Sequence, residues 1–200
     1  PVGEVQLSND EMAERLGLGD SQRFTRTALI GKLALQEALQ EAQLAGEALD
    51  EVHFISGTTV GGMDRREQIH AQEPGCGREI AEIATHNCAA CTEMIAEGLG
   101  DFASMATLST ACSSATNAII TGANMLRCGL ADIVVVGGAE CLSLFHLNGF
   151  NALMILDHQP CSPFDRDRAG LNLGEGAAYL VMETAASAQQ RGLKPNFVIS

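Results

Sequence analysis

From residue 24 to residue 44, Ala28, Leu35, Ala38, Leu39 and Ala42 recur at helical spacing while Glu37, Gln40 and Glu41 fall elsewhere, which predicts an amphipathic helix. "EVHFISG" (51–57) reads as a buried strand running into a glycine-rich turn, "GTTVGG" (57–62). Residues 63–90 give the weakest pattern, with "EPGCG" (73–77) marking a loop between two short helical stretches, and a helix is expected at about 91–98. "MATLST" (105–110) is strand-like, and Ala115, Ala118, Ile119, Gly122, Met125 and Leu126 then follow an i, i+3, i+4, i+7 stripe. Gly129 supplies the stop, because glycine adopts the left-handed cap at low cost. "ADIVVVGGAE" (131–140) has the continuous apolar run of a strand covered on both faces.

Strand, helix and strand in such close succession form a βαβ unit, expected to be parallel with a right-handed crossover. A mixed region (141–160) and a polar loop "CSPFDRDRAG" (161–170) follow. The later half of "GEGAAYLVMET" (174–184) predicts another strand, residues 185–191 a short helix, and "FVIS" (197–200) a last strand. The expected class is α/β, one partial domain over 1–200 with a mixed, mostly parallel sheet flanked by helices. Neither repeats nor low-complexity segments interrupt it.

With 200 residues, 46% hydrophobic and 18% charged, the chain can bury a core. A formal net charge of −13 repels phosphate backbones, and the 12 Lys and Arg form no run, so no nucleic-acid partner is expected. No apolar run approaches the roughly 20 residues that span a bilayer, and the first 20 residues carry no secretory pattern. The expected location is the cytoplasm, away from membranes. Seven cysteines (Cys76, Cys88, Cys91, Cys112, Cys128, Cys141 and Cys161) are an odd number in a mid-sized chain and read as reduced thiols. The chain opens on Pro1 and stops inside "NFVIS", which reads as a fragment whose last strand is cut partway.

"TLSTACSSATNAI" (107–119) places Cys112 where the strand-like stretch meets the apolar stripe. If Ser113 begins the helix, unpaired N–H groups of its first turn point near the sulfur and favour thiolate. The helix dipole contributes only about 0.3–1 kcal/mol, so a base or second cation is still required. The same N–H groups can hold a developing oxyanion, and the small neighbours Ala111, Ser113, Ser114 and Ala115 leave an approach line to sulfur, as at a serine nucleophile elbow. On these mechanics alone a buried packing cysteine explains the junction equally well.

"TACSSATNAI" (110–119), "ADIVVVGGAE" (131–140) and "PFDRDRAGLNLGEGAAYLVME" (163–183) occur in the order and approximate spacing of the β-ketoacyl synthases, which the chain resembles from about residue 23 onward. The resemblance implies the N-terminal half of a thiolase-like fold, whose complete form stacks two similar halves in five layers. It implies that Cys112 accepts an acyl chain from acyl carrier protein, and that decarboxylation of malonyl-carrier thioester yields the carbanion that attacks the acyl-enzyme. Neither a metal nor an organic cofactor is implied, and a homodimer formed partly through a sheet edge is. The family's two catalytic histidines and second oxyanion donor come from the C-terminal half, so this chain alone is expected to be inactive. His53, His70, His86, His146 and His158 match none of the catalytic positions. The chain also begins after the family's first strand, a central one, so either a vacant slot filled by a partner segment or a rearranged association is expected. Ser162 stands where the family usually has arginine, and Leu171 where an aromatic is common.

Other patterns compete. Cys88 and Cys91 in "HNCAAC", with Cys76 and His86, have the residue types of a zinc site or redox pair, but the spacing fits no finger or ribbon and no metal is expected. Gly137 and Gly138 lack the third glycine of a dinucleotide loop; the resemblance implies that they let backbones pack tightly near the active-site helix. Asp165 and Asp167 fit no EF-hand; Asp165 is expected near Arg168 in a solvated loop, and Glu175 in a structural hydrogen-bond network. A non-catalytic partner subunit that shapes chain length is the main functional alternative, although such relatives usually replace the nucleophile. Thiolases and chain-initiating relatives tend to carry a glycine soon after the cysteine, whereas this chain has "CSSA". Arg65, Arg66, Arg78 and Arg127 are the cations available for a carrier protein.

Overall fold

A computed structural model of the chain describes residues 1–72 and 87–199. A two-residue strand β1 (Val2–Gly3) leads into α1 (Asn9–Arg15), which the sequence reading did not anticipate. Ser8 and Glu11 form a reciprocal capping box there, satisfying two N–H groups at the start of a short helix. Then follow α2 (Arg26–Glu41), β2 (Val52–Gly57), α3 (Met63–Gln72), α4 (Cys88–Ala96) and β3 (Ser104–Leu108). The second half contains α5 (Ser114–Arg127), β4 (Ile133–Glu140), α6 (Leu144–Ala152), β5 (Leu173–Gly174), β6 (Gly176–Glu183) and α7 (Ala185–Gln190).

The main sheet has the order β3-β2-β4-β6, with β2 parallel to both neighbours and β6 antiparallel to β4. The fold class is therefore the expected mixed α/β. The strands of the β3–α5–β4 unit are parallel but not adjacent, because β2 lies between them. Alternation along β4 covers both faces: Val135 joins Ala28, Leu35, Leu39 and Phe54 beneath α2, whereas Val134 and Val136 join Ile55 and Ala118 beneath α5. The first turns of α2 are buried all round because α1 packs on their other side, with Met12, Phe24, Leu29 and Cys141 in one cluster. Lys32 is inside this wall, only 2% exposed, and donates to the carbonyls of Ile95 and Glu97 at the end of α4.

Two expectations are corrected. The vacant central slot is not present: β2 pairs directly with β4 in unbroken register from Val52–Ile133 to Gly57–Gly138, and the ladder leaves no room between them. The association within the sheet is thus closed on itself at that place, and among the described residues β3 and β6 are its edges. Residues 197–199 form no strand, since Phe197, Val198 and Ile199 are exposed and nothing pairs with them among the described residues. Smaller differences concern boundaries. The helix expected at 91–98 begins three residues earlier, capped by the Asn87 side chain on the Ala89 N–H. The mixed region contains α6, which buries none of its own residues.

Candidate active site

β3 ends at Leu108, and the chain turns through Ser109, Thr110 and Ala111 before Cys112. Ala111 has φ +54°, the left-handed region that costs a residue with a Cβ about 1 kcal/mol or more. That turn is held by a dense local network. The Ser114 hydroxyl accepts from the Thr110 N–H at 2.9 Å and donates to the Ala111 carbonyl at 2.7 Å, while the Ser114 N–H reaches the same carbonyl at 3.0 Å. On the outer side, Asn117 Nδ2 donates to Thr110 Oγ1 and to Ser113 Oγ. Ser113 is the N-cap of α5 and the first helical residue is Ser114, one later than expected; Ser113 makes no side-chain cap bond to the helix. Cys112 itself is exposed, not a packed core residue.

The turn is seated on the C-terminal ends of β2 and β4 because two glycines leave room for it. A Cβ on Gly57 would lie 2.5 Å from the carbonyl carbon of Ser114 and 2.6 Å from the Ala115 nitrogen. One on Gly138 would lie 2.6 Å from the Gly57 carbonyl oxygen and 3.0 Å from the Ala115 Cβ. This is the close backbone packing expected of Gly138. A pocket of about 230 Å³ opens there, lined by Ala111, Cys112, Thr58, Thr59, Gly138 and Glu140 among others. A thiol on a strained strand-to-helix turn, reachable from solvent and flanked by small residues, is equipped for nucleophilic attack on a carbonyl carbon.

The pocket holds one ionisable partner that the sequence reading passed over. Glu140 ends β4 and is half-buried; its carboxylate accepts from the Thr59 N–H and the Thr58 hydroxyl. The signal available in the sequence was a carboxylate directly after the small residues that end "VVVGGAE".

The histidines go elsewhere. His53 bonds across strands through Nδ1 to Ser104 Oγ at 2.7 Å, His146 faces Ser143 Oγ, and His158 is exposed. The side chain of His70 and all of His86 lie outside the described residues, as do Cys76, Arg78 and the loop 73–77. Two members of the considered zinc cluster therefore have no described position; Cys88 is half-buried and Cys91 buried, and among the described residues no cluster of three metal-binding side chains forms. Burial pushes the Cys91 thiol up to about 12, opposite to a reactive thiolate. Arg65, paired with Gln22 Oε1 at 3.1 Å, Arg66 and Arg127 do not converge on one element, since the first two are on α3 and the third ends α5. Arg168 donates to the backbone carbonyl of Asp165, so those residues do meet, though through the main chain.

Glu175 holds the network expected of it. Its carboxylate accepts from the Val5 and Leu142 N–H groups and from the Arg26 guanidinium. That fixes the residue before Gly176, which also borders the cysteine pocket.

Comparison with known proteins follows the same lines. A family model described as "Beta-ketoacyl synthase, N-terminal domain" matches residues 9–188. Nodulation protein E of Rhizobium meliloti (strain 1021) is 30% identical over 197 residues, an overlap that covers 94% of this chain and 48% of that protein. The 3-oxoacyl-[acyl-carrier-protein] synthase 2 of Staphylococcus aureus (strain N315) is 28% identical over 198 residues, with 94% and 48% covered. Among solved structures, the ishigamide ketosynthase/chain length factor superposes with a TM-score of 0.76 at 27% identity, covering 86% of this chain and 45% of that one. The ketosynthase ApeO in complex with its chain length factor ApeC from Xenorhabdus doucetiae gives a TM-score of 0.63 at 27% identity, covering 91% and 46%. The chain spans about half the length of the curated relatives it matches.

Proposed function

Because the chain belongs to the β-ketoacyl synthase N-terminal domain family, we propose that it forms the nucleophile-bearing half of a condensing enzyme, with Cys112 as the acyl-accepting residue. The observation that carries this is the place of Cys112, an exposed thiol after the strained Ala111, on the rim of a pocket at the sheet's C-terminal end.

In this reading the Cys112 sulfur attacks the carbonyl carbon of an acyl thioester. The carbon–sulfur bond of the donor breaks, its thiol leaves with a proton, and the acyl group is held as a new thioester of nearly equal free energy. A malonyl thioester then loses carbon dioxide, and the resulting carbanion attacks the acyl carbon and expels the Cys112 thiolate. The described pocket residues contribute the nucleophile and a shaped wall but no histidine. The proton transfers and the second oxyanion donor are assigned to a C-terminal half, and the isolated chain is expected to be inactive. The exposed apolar side chains Leu144, Phe145, Leu153, Met154 and Phe164 support a second half of protein packed over the α6 side.

The donor thioesters are assigned to acyl carrier protein, the substrate carrier named in the relative from Staphylococcus aureus. Arg65, Arg66 and Arg127 remain the described candidates for holding it, and a homodimer is proposed. The reaction as drawn needs neither metal nor organic cofactor. A catalytic role is favoured over that of a chain-length-shaping partner because the thiol is present and accessible.

The test is site-resolved mass spectrometry after brief, substoichiometric treatment of the full-length protein with an acyl thioester. Acylation of Cys112 ahead of the other thiols is expected. Preferential reaction at another cysteine, with Cys112 inert, overturns the reading.

A further inference from the structure

The Thr58–Thr59 turn lines the same pocket as Cys112, and its restraints are unequally distributed. On the cysteine side it is tied by the Thr58 N–H to the Leu108 carbonyl at 3.0 Å, by the Ser109 hydroxyl to the Thr59 carbonyl at 3.0 Å, and by the Ser114 hydroxyl to the Thr58 carbonyl at 3.4 Å. On the β4 side, beyond the strand ladder, both restraints among the described residues come from Glu140: Oε1 accepts from Thr58 Oγ1 at 3.3 Å and Oε2 accepts from the Thr59 N–H. Thr58 Oγ1 in turn accepts from the Gly61 N–H at 3.2 Å, so the carboxylate fixes the turn through the next glycine.

We propose that Glu140 is a positioning residue of the Cys112 site, holding the Thr58–Thr59 turn as a rigid wall against which the incoming acyl thioester is aligned with the sulfur. This rests on the reading of Cys112 as the acyl acceptor. Three features carry it. Glu140 borders the same pocket as Cys112. Both of its oxygens accept hydrogen bonds from the turn, one from the Thr58 hydroxyl and one from the Thr59 N–H. The turn also shares Ser109 and Ser114 with the cysteine loop, so slack on the β4 side is passed to the residues flanking the nucleophile. Misplacement of a wall by an ångström is enough to slow a reaction that depends on alignment, while a small reagent that needs none is indifferent to it.

The experiment measures, in the full-length protein, the rate of acyl transfer to Cys112 from an acyl thioester, beside the rate of Cys112 alkylation by iodoacetamide. Glu140→Ala is expected to slow acylation by about tenfold or more while alkylation stays within about twofold. Glu140→Gln, whose amide oxygen still accepts from the Thr59 N–H, is expected to restore acylation to within about threefold of the parent. Thr58→Val, which removes the hydroxyl between Glu140 and Gly61, is expected to slow acylation as well and carries the test if the alanine variant does not fold. Parent-like acylation in Glu140→Ala or Thr58→Val overturns the proposal, as does a glutamine variant as slow as the alanine one. A parent protein in which Cys112 accepts no acyl group overturns the reading of the site itself, and this inference with it.

Discussion

Arg26 and Glu175, 149 positions apart in the chain, meet as a buried ion pair with Arg26 Nε 3.0 Å from both carboxylate oxygens. Their side chains are 17% and 1% exposed. Arg26 also donates to the carbonyls of Leu7 and Val5 and to Asn9 Oδ1, and Glu175 accepts from the Val5 and Leu142 N–H groups. One pair thereby fastens the N-terminal segment and the start of α2 to the residue between β5 and β6. Removing one partner leaves the other charged and buried. Glu175→Gln or Arg26→Met is expected to lower the free energy of unfolding by about 3–5 kcal/mol, read by urea denaturation at neutral pH.

The same pair sets an acid limit. Burial pushes the Glu175 carboxyl up, but the Arg26 guanidinium and the N–H groups of Leu142 and Val5 outweigh it and hold the group below its ordinary value. The folded state therefore releases this proton more readily than the unfolded one. The pair's stabilisation is complete above the unfolded value of 4.5 and is lost as pH falls through the lower folded value. Urea midpoints across this acid range should fall less steeply in Glu175→Gln than in the parent; parallel curves would show that Glu175 is not the group responsible.

Cys112 and the fold are separable. Because its side chain is exposed, Cys112→Ala is expected to change stability by no more than about 0.5 kcal/mol while abolishing acyl transfer at that position. Thermal unfolding and intact-mass acylation on the same preparation check both halves of this statement. A large loss of stability would return Cys112 to a packing role.

Gly57 is the opposite case, a residue without chemistry on which the site depends. A Cβ there meets the Ser114 backbone at 2.5 Å, so Gly57→Ala has to push the first turn of α5 away from the sheet. The expected cost is about 1–3 kcal/mol, together with slower acylation of Cys112. Unfolding by urea gives the first quantity, and the acylation assay gives the second.

Alkali acts through the core. Burial raises the Cys91 thiol from 9.0 to about 12, so between these values the unfolded state has lost a proton that the folded state keeps. Stability must fall as pH rises through that window, by up to about 1.4 kcal/mol per pH unit for one such group. Tyr179 is raised in the same sense by its burial, and Cys141 likewise. Cys91→Ala is expected to flatten the alkaline decline by close to one proton in denaturation measured from about pH 9 to 11. An unchanged slope would mean that Cys91 does not stay protonated in the folded protein.

Much of the fold was legible because its signals are local. The α2 stripe, the apolar run of β4, the α5 stripe with its Gly129 stop and the glycines after β2 each declare an element within a dozen or so residues. The elements that escaped lack such patterns. α1 is a seven-residue helix anchored by Ser8, and α6 buries nothing that would give it a stripe. "FVIS" has the composition of a strand, but a strand requires a neighbouring strand to pair with, and residues 197–199 meet none among the described residues. The direct pairing of β2 with β4 was equally invisible, because strand order depends on which edges meet after the helices have packed.

For the site, the sequence by itself determined the residue type of the proposed nucleophile, Cys112, and its place at a strand-to-helix junction. Cys112, the small residues around it and the stripe behind it are neighbours along the chain, so local geometry alone brings them together. Only the tertiary structure decided which distant residues share its pocket. The pocket wall is made by Thr58 and Thr59, more than fifty positions before Cys112, and Glu140, nearly thirty after it, joined because parallel β2 and β4 end side by side. Their identities as polar residues were plain in the sequence. Their role depends on hydrogen bonds across a sheet end, and those exist only once register and strand order are fixed.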